Sequence, residues 1–210
     1  LAAAFDPFQD AYMAEPSEYV RWAREQAPVF YSPQLGYWVV TRHQAIKDIF
    51  RDPHSYSPSI ALEPVGAVPD EFQTILKSYG YAMNRTLVNE DEPMHMARRR
   101  VLMAPFTPEH LRAHEPMVRR LVTQAIDGFI DAGRVDLFRA LLWDVPFSVA
   151  LHFLGIDDER DRVQMHAFCM AHTKNAFGRP TDAERIEVAH NVGQFWQLSG
   201  EILAKMRRTP

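Results

Sequence analysis

The chain has a single cysteine, Cys169, so no internal disulfide can form. A reducing compartment fits, and the cytoplasm is the expected location. It has no apolar run approaching the roughly 20 residues that a bilayer-spanning helix takes, so no membrane partner is expected. The opening Leu1-Ala2-Ala3-Ala4-Phe5-Asp6-Pro7 lacks a basic segment and turns acidic at once, so it does not read as a signal peptide. A start on Leu rather than Met implies that the first residues are missing. Gly-rich phosphate loops, a Gly-x-Ser-x-Gly elbow and a Cys-x-x-Cys pair are all absent, which excludes the chemistries that depend on them. Positive charge is not in excess: 23 Lys and Arg stand against 27 Asp and Glu, a net −4, so a nucleic-acid partner is not expected. Repeats and low-complexity tracts are lacking too. What is present is a chain of 210 residues, 47% of them hydrophobic, enough for the core of one domain or part of one.

The most informative stretch is Asp91-Glu92-Pro93-Met94-His95-Met96-Ala97-Arg98-Arg99-Arg100, running on to Phe106-Thr107-Pro108. Pro93 behind three acids favours a helix start, and Pro105 ends it. His95 and Arg99 are four apart and share a face, while Met94, Ala97, Val101 and Ala104 make an apolar one. An imidazole and a guanidinium on one stripe can grip a carboxylate, the arginine often in bidentate fashion. The same pattern also fits a solvated basic face beside a surface histidine. Arg98, Arg99, Arg100, Arg112, Arg119 and Arg120 form a basic cluster that could receive an acidic partner protein or simply face water.

Elsewhere the pattern is mainly helical with one hairpin. Residues 17–26 read as a helix with Tyr19, Trp22, Ala23 and Gln26 on its packing face. Val29-Phe30-Tyr31-Ser32 and Tyr37-Trp38-Val39-Val40 read as paired strands. Thr41-x-x-Gln44 and Thr181-x-x-Glu184 are candidate capping boxes that open helices. Ala45, Ile46, Ile49 and Phe50 form the expected buried side of the first of these. Residues 52–89, rich in proline, form a long excursion with few anchors and one short helix carrying Phe72, Ile75, Leu76 and Tyr79. A short segment opened by Pro108 precedes an amphipathic helix over 116–131 that Gly133 closes. Residues 144–154 are apolar nearly all round, which predicts burial on several sides and makes His152 a hydrogen-bonded core histidine. Asp157 or Asp158 caps the helix that follows, to about Asn175, and the longest helix starts at Thr181.

Two other constellations are set aside. His110 and His114 share a face but lack a third ligand, so a metal site is not expected there. Met94, His95 and Met96 splay around the helix, which argues against copper. Cys169 reads as an inert buried thiol.

Asp91-x-Pro93-x-His95-x-x-x-Arg99 followed by Phe106-Thr107-Pro108 resembles the C-helix signature of the cytochromes P-450, the haem-thiolate monooxygenases. The helix, hairpin, helix order resembles the N-terminal order of that family, and the runs Trp38-Val39-Val40-Thr41-Arg42 and Arg85-Thr86-Leu87-Val88-Asn89-Glu90-Asp91-Glu92-Pro93 are most similar to its bacterial branch fused to a reductase with FMN and a two-iron, two-sulfur cluster. The resemblance spans the whole chain. It implies a mainly α fold with a small N-terminal antiparallel β-hairpin, covering helices A to G only, with the chain cut after Pro210. It implies heme b bound through His95, Arg99 and Phe106, with the axial cysteine outside these residues; no catalytic residue lies within them. It implies a substrate wall made by Ile60, Ala61, Leu62, Leu87 and Val88, residues that otherwise simply pack the loop down. Ala171, Asn175 and Phe177 would be the lower edge of a lid.

Four parts follow: 1–58 as helix, hairpin and helix; 59–90 as the substrate-lining loop; 91–154 as haem-edge and core helices; 155–210 as the lid pair. The expected partners are a small, mostly apolar organic substrate, O2 and a reductase domain, fused or separate. Arg98, Arg100 and Arg112 are expected to face that reductase. FMN and the iron–sulfur cluster are expected only there, with NAD(P)H as the electron source. The alternative is a helical binding or sensor module without redox chemistry.

Overall fold

The structure, a computed structural model, describes residues 2–82 and 85–208. It is mainly helical with one two-stranded antiparallel sheet, as expected. Among the described residues no helix is long and apolar enough to cross a membrane. The chain divides into two compact units, residues 1–96 with 171–193 and residues 97–170 with 194–210.

In the first unit, α1 (Asp10–Ala14) and α2 (Pro16–Gln26) precede β1 (Val29–Ser32) and β2 (Tyr37–Val40). The strands pair in the register Val29↔Val40 to Ser32↔Tyr37. Gly36 closes the turn with φ +73°, a conformation that favours glycine, and its N–H donates to Ser32 O. The core here is aromatic. Phe5, Ala23 and Phe30 are buried together, Phe5 and Phe30 edge to face at 5.3 Å, with Tyr12, Tyr19 and Trp22 around them. Ser32, fully buried, donates its hydroxyl to Phe5 O at 2.8 Å and so satisfies a backbone group in that core.

Two expectations fail at α3 (His43–Arg51). Thr41 spends its hydroxyl on Pro28 O, and Gln44 donates to Asp48, so no capping box forms. Phe50 is 82% exposed, although Ala45, Ile46 and Ile49 are half-buried as expected. Phe50 borders a hollow, with Tyr56, Leu87 and Val88 on its other sides, instead of packing into the core.

The excursion that follows is better anchored than its composition predicts, because side-chain hydrogen bonds from Arg85 and to Asn89 hold it. Arg85 donates to Ser59 O at 2.7 Å and to Asn89 O, and Asn89 accepts from the N–H and hydroxyl of Thr86. Within it, α4 (Asp70–Ser78) buries Phe72 and Leu76 on the expected stripe. In this unit, the C-terminal part of α8 (Glu159–Phe177) and the N-terminal part of α9 (Asp182–Arg208) supply buried Ala171, Ala176, Val188, Ala189 and Val192. The Thr181–Glu184 box forms in full: Glu184 accepts from the N–H and hydroxyl of Thr181, whose oxygen accepts from Glu184 N. Tyr79, just past α4, reaches α9, with its hydroxyl 3.0 Å from His190 Nδ1 and its ring lying over Gly193.

The second unit carries α6 (Pro108–Asp127) and α7 (Asp144–Phe153). Thr107 caps α6 as expected, accepting from His110 N. The predicted break at Pro116 is absent, and one 20-residue helix runs through it. Pro116 and Arg112, whose carbonyl loses its donor, are both exposed, so water can serve that carbonyl. Helix α6 stops at Asp127, before the expected 131. Gly133, φ +66°, ends the 3-10 turn that follows. Helix α7 is not enclosed as predicted: only Leu151 is fully buried, because its apolar face borders a hollow of about 670 Å³ lined by side chains including Val122, Val145, Val149 and Phe153. His152 is exposed rather than in the core, with Nδ1 3.6 Å from Asp157 Oδ1. Asp158 is the residue that caps α8, accepting from Arg160 N and Asp161 N.

Candidate functional site

Helix α5 (Met94–Met103) starts one residue later than expected and is continuous past both His95 and Arg99. Four residues apart on an unbroken helix, they share one stripe by helical geometry alone. Its first turn is fastened from both sides. Ser57 donates to Asp91 Oδ2 at 3.0 Å, and the Asp91 carbonyl accepts from His95 N. Glu92 takes Met96 N on one carboxylate oxygen and lies 3.0 Å from His95 Nδ1 with the other. An acid at a helix N-terminus is favoured by the macrodipole, and this one also orients the imidazole and leaves Nε2 as the free ring nitrogen.

His95 is half-buried and lines a hollow of about 290 Å³ in the first unit, together with Leu87, Val88, Phe50 and Tyr56. That hollow thus gathers one expected cofactor residue and two expected substrate residues. It does not include Ile60, Ala61 or Leu62, which lie on a turn closed by Ala61 N donating to Pro58 O and Glu63 N to Ile60 O. Ile60 and Ala61 are exposed and Leu62 is half-buried. In the same unit, on α8, Ala171 is buried, Phe177 is 65% exposed, and Asn175 is half-buried with an Oδ1 that no donor reaches.

In the second unit Arg99 is exposed and has no ion-pair partner among the described residues. Arg98, Arg100 and Arg112 are exposed as well, and Arg112 Nε donates to Pro108 O on its own helix. Phe106, 46% exposed, lies against Phe153 with ring centroids 4.7 Å apart and borders the 670 Å³ hollow.

The donor set suits heme b. A porphyrin is a broad apolar plate whose polarity is confined to two carboxylates, and it needs cationic or N–H donors for those tails alone. The imidazole of His95, oriented by Glu92, is such a donor, and so is the exposed guanidinium of Arg99, which has no ion-pair partner among the described residues. Cys169, half-buried on α8, has its pKa pushed up by burial and is a poor source of thiolate. His110 Nδ1 stays near Pro105 O, and His114 packs on Phe153 and His152. Among the described residues no three His, Cys, Asp or Glu side chains converge as metal ligands.

Sequence reasoning missed one feature. Arg185 is buried to 3% exposure on α9, in line with Val188, Ala189 and Val192. The signal was there: a lone charge at i on an i, i+3, i+4, i+7 apolar stripe.

No family model matches the chain. Among solved structures it is similar to full-length CYP116B46 from Tepidiphilus thermophilus, at 62% identity and a TM-score of 0.91, covering 100% of this chain and 28% of that one. It is also similar to an intact type IV self-sufficient cytochrome P450 monooxygenase, at 55% identity and a TM-score of 0.89, covering 98% and 27%. A curated relative, cytochrome P450 123 of Mycobacterium tuberculosis, is 23% identical over 208 residues, 98% of this chain and 48% of the relative. The chain thus spans about half the length of the curated relatives it matches first.

Proposed function

We propose that this chain, which belongs to the cytochrome P450 family, is the N-terminal part of a haem-thiolate monooxygenase that puts one oxygen atom of O2 into a small, mostly apolar organic substrate. The observation that supports this most is the 62% identity maintained over the whole chain at a TM-score of 0.91. Bound haem would supply the activation of dioxygen, with a thiolate ligand contributed from outside these residues.

His95, held by Glu92, and Arg99 bind the haem carboxylates, which neutralises charge that is costly beside a buried cofactor. Phe106 would contribute an apolar contact to the haem. Leu87 and Val88 beside His95, with Ile60, Ala61 and Leu62, wall the substrate and exclude water. Ala171, Asn175 and Phe177 contribute from α8, where the unpartnered Oδ1 of Asn175 suits a hydroxyl or amide N–H. Arg98, Arg100 and Arg112 face the domain that delivers electrons. That domain is a reductase, fused as in the self-sufficient relative or separate, and the sequence resemblance implies FMN and a 2Fe-2S cluster within it, drawing on NAD(P)H. The test is the spectrum of the reduced, carbon-monoxide-bound full-length protein. A red-shifted Soret band is expected, and a haem-free protein or an unshifted band would refute the proposal.

A further inference from the structure

The first unit holds several cations on and beside the lid helices, and they differ in what balances them. Lys174 is paired with Glu184, and Arg179 with Asp6 at 2.9 Å. Arg185, the most deeply buried of the three, has no carboxylate among the described residues. Its Nη2 donates to the neutral carbonyl of Val65 at 2.9 Å, while Nη1 is buried with no hydrogen-bond partner. Glu184, next in sequence, cannot serve as its counter-ion, because Lys174 and Thr181 already occupy that carboxylate.

A guanidinium cannot shed its charge by deprotonation, so burial leaves a permanent cation facing a single carbonyl. Removal of a charge from water without a counter-charge is strongly unfavourable. Arg185 is nonetheless held in place. The Val65–Gly66 turn lies over it, close enough that a Cβ on Gly66 would stand 3.8 Å from Nη2, and Gly66 adopts φ +87°. With Nη2 fixed on Val65, the two N–H bonds of Nη1 remain as a preset donor pair. Arg185 also sits in the opening turns of the 27-residue α9, where the helix dipole favours a negative group.

We propose that Arg185 is an anion-binding residue whose ligand is the carboxylate of an organic acid, so that the substrate of this enzyme is an apolar chain or ring bearing one carboxylate. The carboxylate binds at Nη1 while Nη2 stays on Val65. This rests on the monooxygenase reading for the word substrate, but the anion site itself does not.

The test is calorimetric titration of the full-length, haem-loaded protein with octanoate and with octanamide, which match in size and differ in charge. Octanoate is expected to bind at least about tenfold more tightly, as a charge-assisted pair does over a neutral one. Arg185→Gln is expected to bring the ratio to about one, and Arg185→Lys to keep part of the preference, with haem content and thermal midpoint reported for both. Equal affinities for the two ligands in the unsubstituted protein, or binding of neither, overturn the proposal without any variant. So does a preference that survives Arg185→Gln. If inorganic phosphate competes as well as octanoate and the alkyl chain adds nothing, the site takes free anions and the substrate assignment falls. The carbon-monoxide spectrum is read separately, so failure here leaves the haem reading standing, and the converse also holds.

Discussion

Replacement of Gly193 by alanine sets two known effects against each other, and the structure decides between them. In a helix interior alanine is favoured over glycine by about 1 kcal/mol, so an unobstructed site would be stabilised. Gly193 lies inside α9, but the Tyr79 ring lies directly over it. A Cβ placed there would overlap Cγ and Cδ2 and stand 2.9 Å from Cε2. Carbon pairs are most favourable at roughly 3.5–4.0 Å, so the contact is repulsive at three ring atoms. The overlapped atoms are at the root of the ring, so no small rotation relieves them, and Tyr79 must leave its seat. Its hydroxyl then loses the 3.0 Å contact to His190, and its ring loses the edge-to-face contact at 5.9 Å.

Overpacking of this kind costs about 1–3 kcal/mol, which outweighs the helical gain. Gly193→Ala is therefore expected to lower stability, read by denaturant unfolding of the intact protein, and to quicken proteolysis within residues 59–82. In a Tyr79→Ala background the same substitution has nothing to strike and is expected to stabilise by up to about 1 kcal/mol. The sign reversal is the signature. Additive effects in the double-substitution cycle would refute the reasoning.

Arg99→Leu is expected to reduce haem retention in the full-length protein by several-fold after gel filtration, and unchanged occupancy would count against its role. Reversal of Arg98 and Arg100 to Glu is expected to slow reduction by the electron-donating domain more than it weakens substrate binding. A fused partner mutes this effect through its high effective concentration, so stopped-flow reduction should be measured across ionic strength. Glu184 has its pKa lowered from 4.5 to about 2, chiefly by Lys174 and then by the N–H and hydroxyl of Thr181. A depressed carboxylate pKa contributes stability above the unfolded value, lost as pH falls toward the folded one. Glu184→Gln should therefore flatten the decline in stability between about pH 4.5 and 2, and an unchanged acid slope would contradict it. Half-buried His172 has its pKa lowered by burial, so its neutral form is favoured and its contribution fades as pH falls below about 6.5; His172→Gln should remove that slope from unfolding midpoints.

The two capping-box patterns show how far sequence carries and where it stops. Both read Thr-x-x-acid or amide, yet only Thr181 forms the box. Thr41 ends a strand beside Pro28, whose carbonyl takes its hydroxyl, and Asp48 draws Gln44 away. That competition comes from residues distant in sequence or a turn further on, which a four-residue pattern does not contain. The hairpin was legible because its two aromatic and β-branched runs and the glycine turn between them are local, whereas its register came only with the structure. The continuity of α6 through Pro116 was not, since it depends on which side of the helix meets water. That His95 and Arg99 share one helical stripe was legible from their spacing, and Glu92 as the imidazole's partner follows from the i, i+3 relation. Phe50 was read as core and is nearly bare, because a hydrophobic stripe states which face is apolar but not whether anything covers it.

Asp6 is almost fully enclosed, and the cation that balances it, Arg179, stands 173 residues away in the chain, gripping Asp6 and Gln34 O while lying over the ring of Phe8. On a ribosome adding roughly 5–20 residues per second, that partner emerges on the order of 10–30 s after the residue it neutralises. The aromatic nest of Phe5, Ala23 and Phe30 can gather early from neighbours in the nascent polypeptide. The acid beside it stays wet until residue 179 is delivered, so the amino-terminal half-built body waits for translation to reach the link between α8 and α9 before it can seal.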